Sequence, residues 1–140
     1  MKLAPSFSLY NPVTNTYHSL EDYAGSPLLL TFWASWCPDS QIDLDKKTRL
    51  YEQLTTTGLH MLFVNVVGRE REEGAGEKLM NTLGNPVPYV LDNQLDTYRA
   101  YRCEGVPSTF IIDGESKIVE TFGDTEDFTV IMKHLVPYIR

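Results

Sequence analysis

Cys37 and Cys103 are the two cysteines of the chain, and their sequence settings differ. Cys37 follows the apolar run Leu28-Leu-Leu-Thr-Phe-Trp33 and precedes Pro38-Asp39-Ser40. Such a run reads as a strand buried on both faces. Pro38 suits the first turn of a helix, where its missing N–H costs nothing. Cys37 therefore falls between a strand end and a helix N-terminus. Unpaired N–H groups and the helix dipole favour negative charge there. The thiol pKa is expected below the ~8.5 of free cysteine, and the thiolate is the nucleophile. Asp39 opposes this, because a neighbouring carboxylate disfavours a second negative charge. Ser40 can donate a hydrogen bond to the thiolate.

Cys103 lies four residues before Pro107. Four residues span at most ~14 Å, and a disulfide needs Cα atoms within ~7 Å. Cys103 is either a resolving thiol for Cys37, a buried small hydrophobe, or a second exposed thiol. Two cysteines are too few for a disulfide scaffold or a zinc site. His18, His60 and His134 are scattered without ligand spacing, and Gly74-Ala-Gly76 lacks the lysine of a phosphate loop and reads as flexible. No metal or cofactor is called for.

The elements around these residues alternate. A helix is expected over Asp39–Thr56, with Leu44, Lys47, Leu50, Tyr51 and Leu54 at helical spacing and Gly58 as its cap. Leu59–Val67 reads as a second buried strand, parallel to the first across a right-handed crossover. Gly68–Gly76 is a polar loop, Glu77–Leu83 a short helix, Val87–Leu91 a strand and Leu95–Tyr101 helical. Ser108–Ile112 and Lys117–Phe122 flank Asp113-Gly114 as a hairpin. The last helix spans Asp124–Tyr138. The pattern predicts an α/β fold, a mixed sheet with helices on both faces, in one domain over residues 1–140.

The 140 residues carry 12 basic and 19 acidic side chains, a net charge of −7. That balance argues against nucleic acid as a partner. No apolar run approaches the ~18 residues of a membrane helix. No signal peptide is visible at Met1-Lys2, which leaves a cytosolic protein or one whose export signal or anchor has been removed. A monomer is expected.

Phe32-Trp-Ala-Ser-Trp-Cys-Pro-Asp-Ser40 resembles the active-site segment of thioredoxin-like proteins. Ala4-Pro-Ser-Phe-Ser-Leu9, Leu20-Glu-Asp-Tyr-Ala-Gly25 and Pro27-Leu-Leu-Leu-Thr-Phe32 are similar to the TlpA/ResA branch, related to the AhpC/TSA redoxins. Tyr101-Arg-Cys-Glu-Gly-Val-Pro107 resembles that family's loop bearing a cis-proline. The resemblance implies a thioredoxin fold and thiol-disulfide exchange on protein or glutathione-type disulfides. It assigns Cys37, Ser40 and Pro107 to the catalytic set, and Trp36, Pro38 and Val106 to the substrate-contacting surface. The family pattern is Cys-x-x-Cys, and Ser40 stands where the second thiol would be. A serine cannot resolve a mixed disulfide, so the implied activity is of monothiol type. The ResA-like branch also carries an acidic residue just after its Val-Asn-Val strand. Here that stretch reads Asn65-Val-Val-Gly-Arg-Glu70, and the acid is absent or displaced to Glu70. Two other readings stand beside this one: a binding or chaperone module that turns over poorly, and a peroxiredoxin-like peroxidase. The second lacks the proline and threonine or serine expected before its cysteine.

Overall fold

The computed structural model describes residues 2–54 and 57–139. Among them, eight strands form one mixed sheet in the order β1-β8-β7-β4-β5-β6-β2-β3. The strands are β1 (Lys2–Leu3), β2 (Ser8–Asn11), β3 (Thr16–Ser19), β4 (Leu28–Trp33), β5 (His60–Asn65), β6 (Tyr89–Leu91), β7 (Ser108–Ile112) and β8 (Lys117–Phe122). The helices are α1 (Pro38–Gln53), α2 (Ala75–Leu83), α3 (Asp96–Ala100) and α4 (Phe128–Leu135). β4, β5 and β6 run parallel, β7 pairs antiparallel with β4, and β8 pairs antiparallel with β7.

Every residue of β4 is buried, as its unbroken apolar run requires. Its side chains alternate between two cores. Leu28, Leu30 and Phe32 join Phe7, Tyr98, Tyr101 and Phe110 on one face, with α3 and the N-terminal segment. Leu29 and Trp33 join Leu44, Met80, Ile131 and Leu135 on the other, under α1, α2 and α4. The fold is therefore α/β, a mixed sheet with helices on both faces, of thioredoxin-like type. No helix among the described residues is long and apolar enough to cross a membrane.

Several boundaries differ from the sequence-based expectations. α1 stops at Gln53, because the Thr57 N–H and hydroxyl both donate to the Leu54 carbonyl, at 3.0 and 2.8 Å. Gly58 plays no capping part, and the expected end at residues 55–56 lies outside the described residues. α2 begins at Ala75, after Gly74 in the left-handed region. Gly76 is a buried helical residue and not part of a flexible loop: a Cβ there would overlap the Asn65 amide. α4 starts four residues later than predicted, because Asp127 accepts the Thr129 N–H and caps it. Strands β2 and β3 form an edge hairpin.

Candidate active site

β4 delivers the chain to the rim of the sheet, and Cys37 takes the N-cap position of α1 with extended backbone angles. Its N–H donates to the Ala34 carbonyl at 3.3 Å, and its carbonyl accepts from Gln41 N–H at 3.0 Å. Pro38 is the first helical residue. The Cys37 side chain is only 7% exposed, and its Sγ donates to the Val106 carbonyl at 3.5 Å. Residues 69 apart in sequence thus meet at one thiol. The Val106–Pro107 peptide bond is cis.

The turn before Cys37 is held from the side by residues 69–71. Glu70 accepts from the Ser35 N–H at 2.8 Å and from the Ser35 hydroxyl. The Asn65 amide donates to the same carboxylate at 2.7 Å. Trp36 donates its indole N–H to the Arg69 carbonyl at 2.6 Å, and the Arg71 guanidinium lies 4.1 Å from the Trp36 ring centroid. That distance suits a cation–π contact. Glu70 therefore stands at the site even though it is far from Cys37 in sequence. The clearance at Gly76 makes room for the Asn65 side chain that helps hold it.

The AhpC/TSA family model matches residues 1–121. The chain belongs to the AhpC/TSA family. Within that family it is related to the thioredoxin-like, ResA-type oxidoreductases. It is 31% identical to the thiol-disulfide oxidoreductase ResA of Geobacillus thermodenitrificans over 132 residues, covering 94% of this chain and 74% of that protein. It is 28% identical to ResA of Bacillus subtilis, covering 94% and 72%. Among solved structures, the thioredoxin domain of a thiol-disulfide oxidoreductase from Bacteroides vulgatus superposes with a TM-score of 0.84 at 19% identity, covering 99% of this chain and 96% of that one. At that identity the match speaks for the fold alone.

Against the family pattern, Ser40 is the departure. It is fully buried, and its Oγ accepts from the Ala34 N–H at 3.4 Å. That bond ties α1 back to the end of β4. The thiol of Cys37 turns instead to the Val106 carbonyl. Cys103 is a free thiol, as is Cys37. It lies half-buried against the same apolar cluster as Cys37. Burial pushes the Cys103 thiol up to about 12; hydrogen bonding with Ser108 opposes this and the Asp92 carboxylate adds to it.

Beneath α1 lies a charge that sequence reasoning left unexplained. Lys47 occupies the apolar face of the helix and is fully buried. Thr31 and Thr109 are register partners on β4 and β7, so their hydroxyls lie side by side. Both accept from Lys47 Nζ, at 2.9 and 2.7 Å. Asp43, one helical turn earlier, meets the same Nζ at 2.7 Å. Burial lowers the Lys47 pKa from its ordinary value, and Asp43 opposes that shift. Asp43 is the residue missed at the sequence level: an acid four before a lysine looks like an ordinary surface pair.

Proposed function

We propose that residues 1–140, acting as one thioredoxin-like domain, form a thiol-disulfide oxidoreductase of monothiol type on protein or low-molecular-weight disulfides. The observation that carries this reading is the Cys37 thiol at the N-terminus of α1, beside Val106 and Pro107. The Cys37 thiolate attacks one sulfur of a disulfide R–S–S–R′, forming Cys37–S–S–R and releasing R′–S⁻. An external thiolate R″–S⁻ then attacks the R sulfur, giving R–S–S–R″ and regenerating the Cys37 thiolate. A second R″–S⁻ attacks R–S–S–R″, giving R″–S–S–R″ and releasing R–S⁻, so two electrons pass from two external thiols to the original disulfide and no second protein cysteine is needed. Ser40 supports the helix start as a structural hydroxyl. Trp36, Pro38 and Val106 form the surface that a substrate meets.

Cys103 is assigned a packing role, since a thiol with a pKa raised to about 12 supplies little thiolate near neutrality. A binding module without turnover is the second reading, and the burial of Cys37 is what favours it.

The test is incubation of the native protein with glutathione disulfide at pH 7.5, followed by intact-mass measurement and by turnover with added glutathione. The expected result is one glutathione adduct, on Cys37, lost in Cys37→Ser and turned over by free thiol. Absence of an adduct on the folded protein, with normal labelling after unfolding, would replace the enzyme reading with the binding module.

A further inference from the structure

A pocket of about 280 Å³ adjoins Pro107 on the α1 side. One wall is the first two turns of α1, carrying Asp39, Ile42 and Asp43. The facing wall is the stretch between β8 and α4, carrying Asp124, Glu126 and Asp127, together with Phe128 at the start of α4. Carboxylates thus face each other across a space that begins two residues from the nucleophile. The cation on its lining is Lys46.

The carboxylates are not equivalent. Asp43 is nine-tenths buried, and its Oδ2 meets Lys47 head-on without a well-oriented hydrogen bond. Its charge is largely answered inside the protein. Asp39, Asp124, Glu126 and Asp127 are exposed, and among the described residues none of them is in an ion pair. Asp124 packs against the loop that leads to Pro107: a Cβ on Gly105 would lie 2.6 Å from its Oδ2. Ile42, 55% exposed, and Phe128, half-buried, add apolar surface beside the acids.

Like charges around a concave, partly apolar space focus the potential and attract a counter-charge. A free metal ion would use only the charge. A lysine or arginine side chain uses both features, packing its methylene stem on apolar surface while its head meets carboxylates. We infer that this pocket receives a basic side chain of a peptide disulfide, so that the protein selects substrates with Lys or Arg next to the reacting cysteine. This rests on the thiol-disulfide reading above and names its substrate class. Glutathione disulfide, which is acidic, still forms the Cys37 adduct, but more slowly than a peptide disulfide flanked by Lys or Arg.

The test uses three peptides that differ only in the two residues flanking one cysteine: Lys, Gln or Glu. Each is presented as its mixed disulfide with thionitrobenzoate, and the second-order rate of chromophore release is measured. The expected order is Lys over Gln over Glu, with about tenfold between Lys and Glu at low salt. In 0.5 M salt the ratio is expected to shrink to about twofold. In Asp124→Asn/Glu126→Gln the Lys-to-Glu ratio is expected to fall by at least threefold. In Glu21→Gln/Glu52→Gln, which removes the same charge outside the pocket, it is expected to stay near the wild-type value.

Equal rates for the three peptides at low salt would overturn the inference and leave thiol exchange standing. A preference unchanged by the pocket variant, or lost equally in the control variant, would assign it to overall charge and overturn the pocket. No release from any peptide above the Cys37→Ser background would remove the thiol-disulfide reading together with this one.

Discussion

Cys37 and Cys103 border one apolar cluster, yet the backbone treats them differently. Cys37 caps a helix of 16 residues, its turn pinned by Glu70 and its thiol facing a carbonyl from another loop. Cys103 follows the short α3; its N–H donates to Tyr98 O at 3.1 Å, and the Asp92 carboxylate lies near its thiol. Burial and the nearby carboxylate disfavour anionic sulfur at Cys103. The lesson is that cysteine content says little here: the element that delivers each thiol decides what it can do.

The largest effect expected from this contrast is in alkylation. At pH 8 a thiol with a pKa near 12 is about one part in ten thousand thiolate, so Cys103 in the folded protein should react with iodoacetamide roughly a thousandfold slower than in the unfolded chain. Peptide mapping after timed labelling measures this. Comparable labelling of Cys103 before and after unfolding would erase the distinction between the two sites.

A smaller effect appears in alkaline stability. The folded state holds the Cys103 proton above the pH at which the unfolded thiol loses it. Folded protein then binds more protons, and stability falls as pH rises from about 9 toward 12. Urea titrations of wild type and Cys103→Ala at pH 9 and 10.5 should show wild type losing about 1–2 kcal/mol relative to the variant. A constant difference would place Cys103 in a more solvated setting than its surroundings indicate.

The smallest effect concerns the turn ahead of Cys37. Glu70→Gln keeps an acceptor for the Ser35 N–H but removes the charge from that bond and from the Asn65 contact. The cost should be about 1 kcal/mol of stability, with the Cys37 adduct still forming at a reduced rate. An unchanged rate would show that the turn is held well enough by the Trp36 indole and Gln41, whose side-chain amide donates to the Ser35 carbonyl at 2.7 Å.

What was legible in the sequence follows from what is local. The runs at β4 and β5, Pro38 at the helix start, and Asp113-Gly114 between β7 and β8 all act through near neighbours, and the fold class followed from them. Lys47 was visible on the apolar face of α1, but its acceptors Thr31 and Thr109 become adjacent only through strand register. Glu70 stood out as a displaced acid; its partnership with Ser35 spans 35 residues and has no local signature. Glu126 and Asp127 look like a solvated pair in the sequence, and only the return of the chain after β8 sets them opposite α1. The edge hairpin of β2 and β3 has no such signature, because Tyr10, Thr16 and Tyr17 are exposed or half-exposed and break the apolar alternation.

Lys46 and Lys47 are consecutive, and one points to solvent while the other is sealed beneath the helix. An amine-acylating reagent reaches the first at all times. It can modify the second only when α1 lifts from β4 and β7, because Nζ is enclosed by Thr31, Thr109 and Asp43. The chain therefore carries its own footprinting pair: an always-open amine that calibrates reagent exposure, and beside it a silent one that records each opening of the helix bearing Cys37.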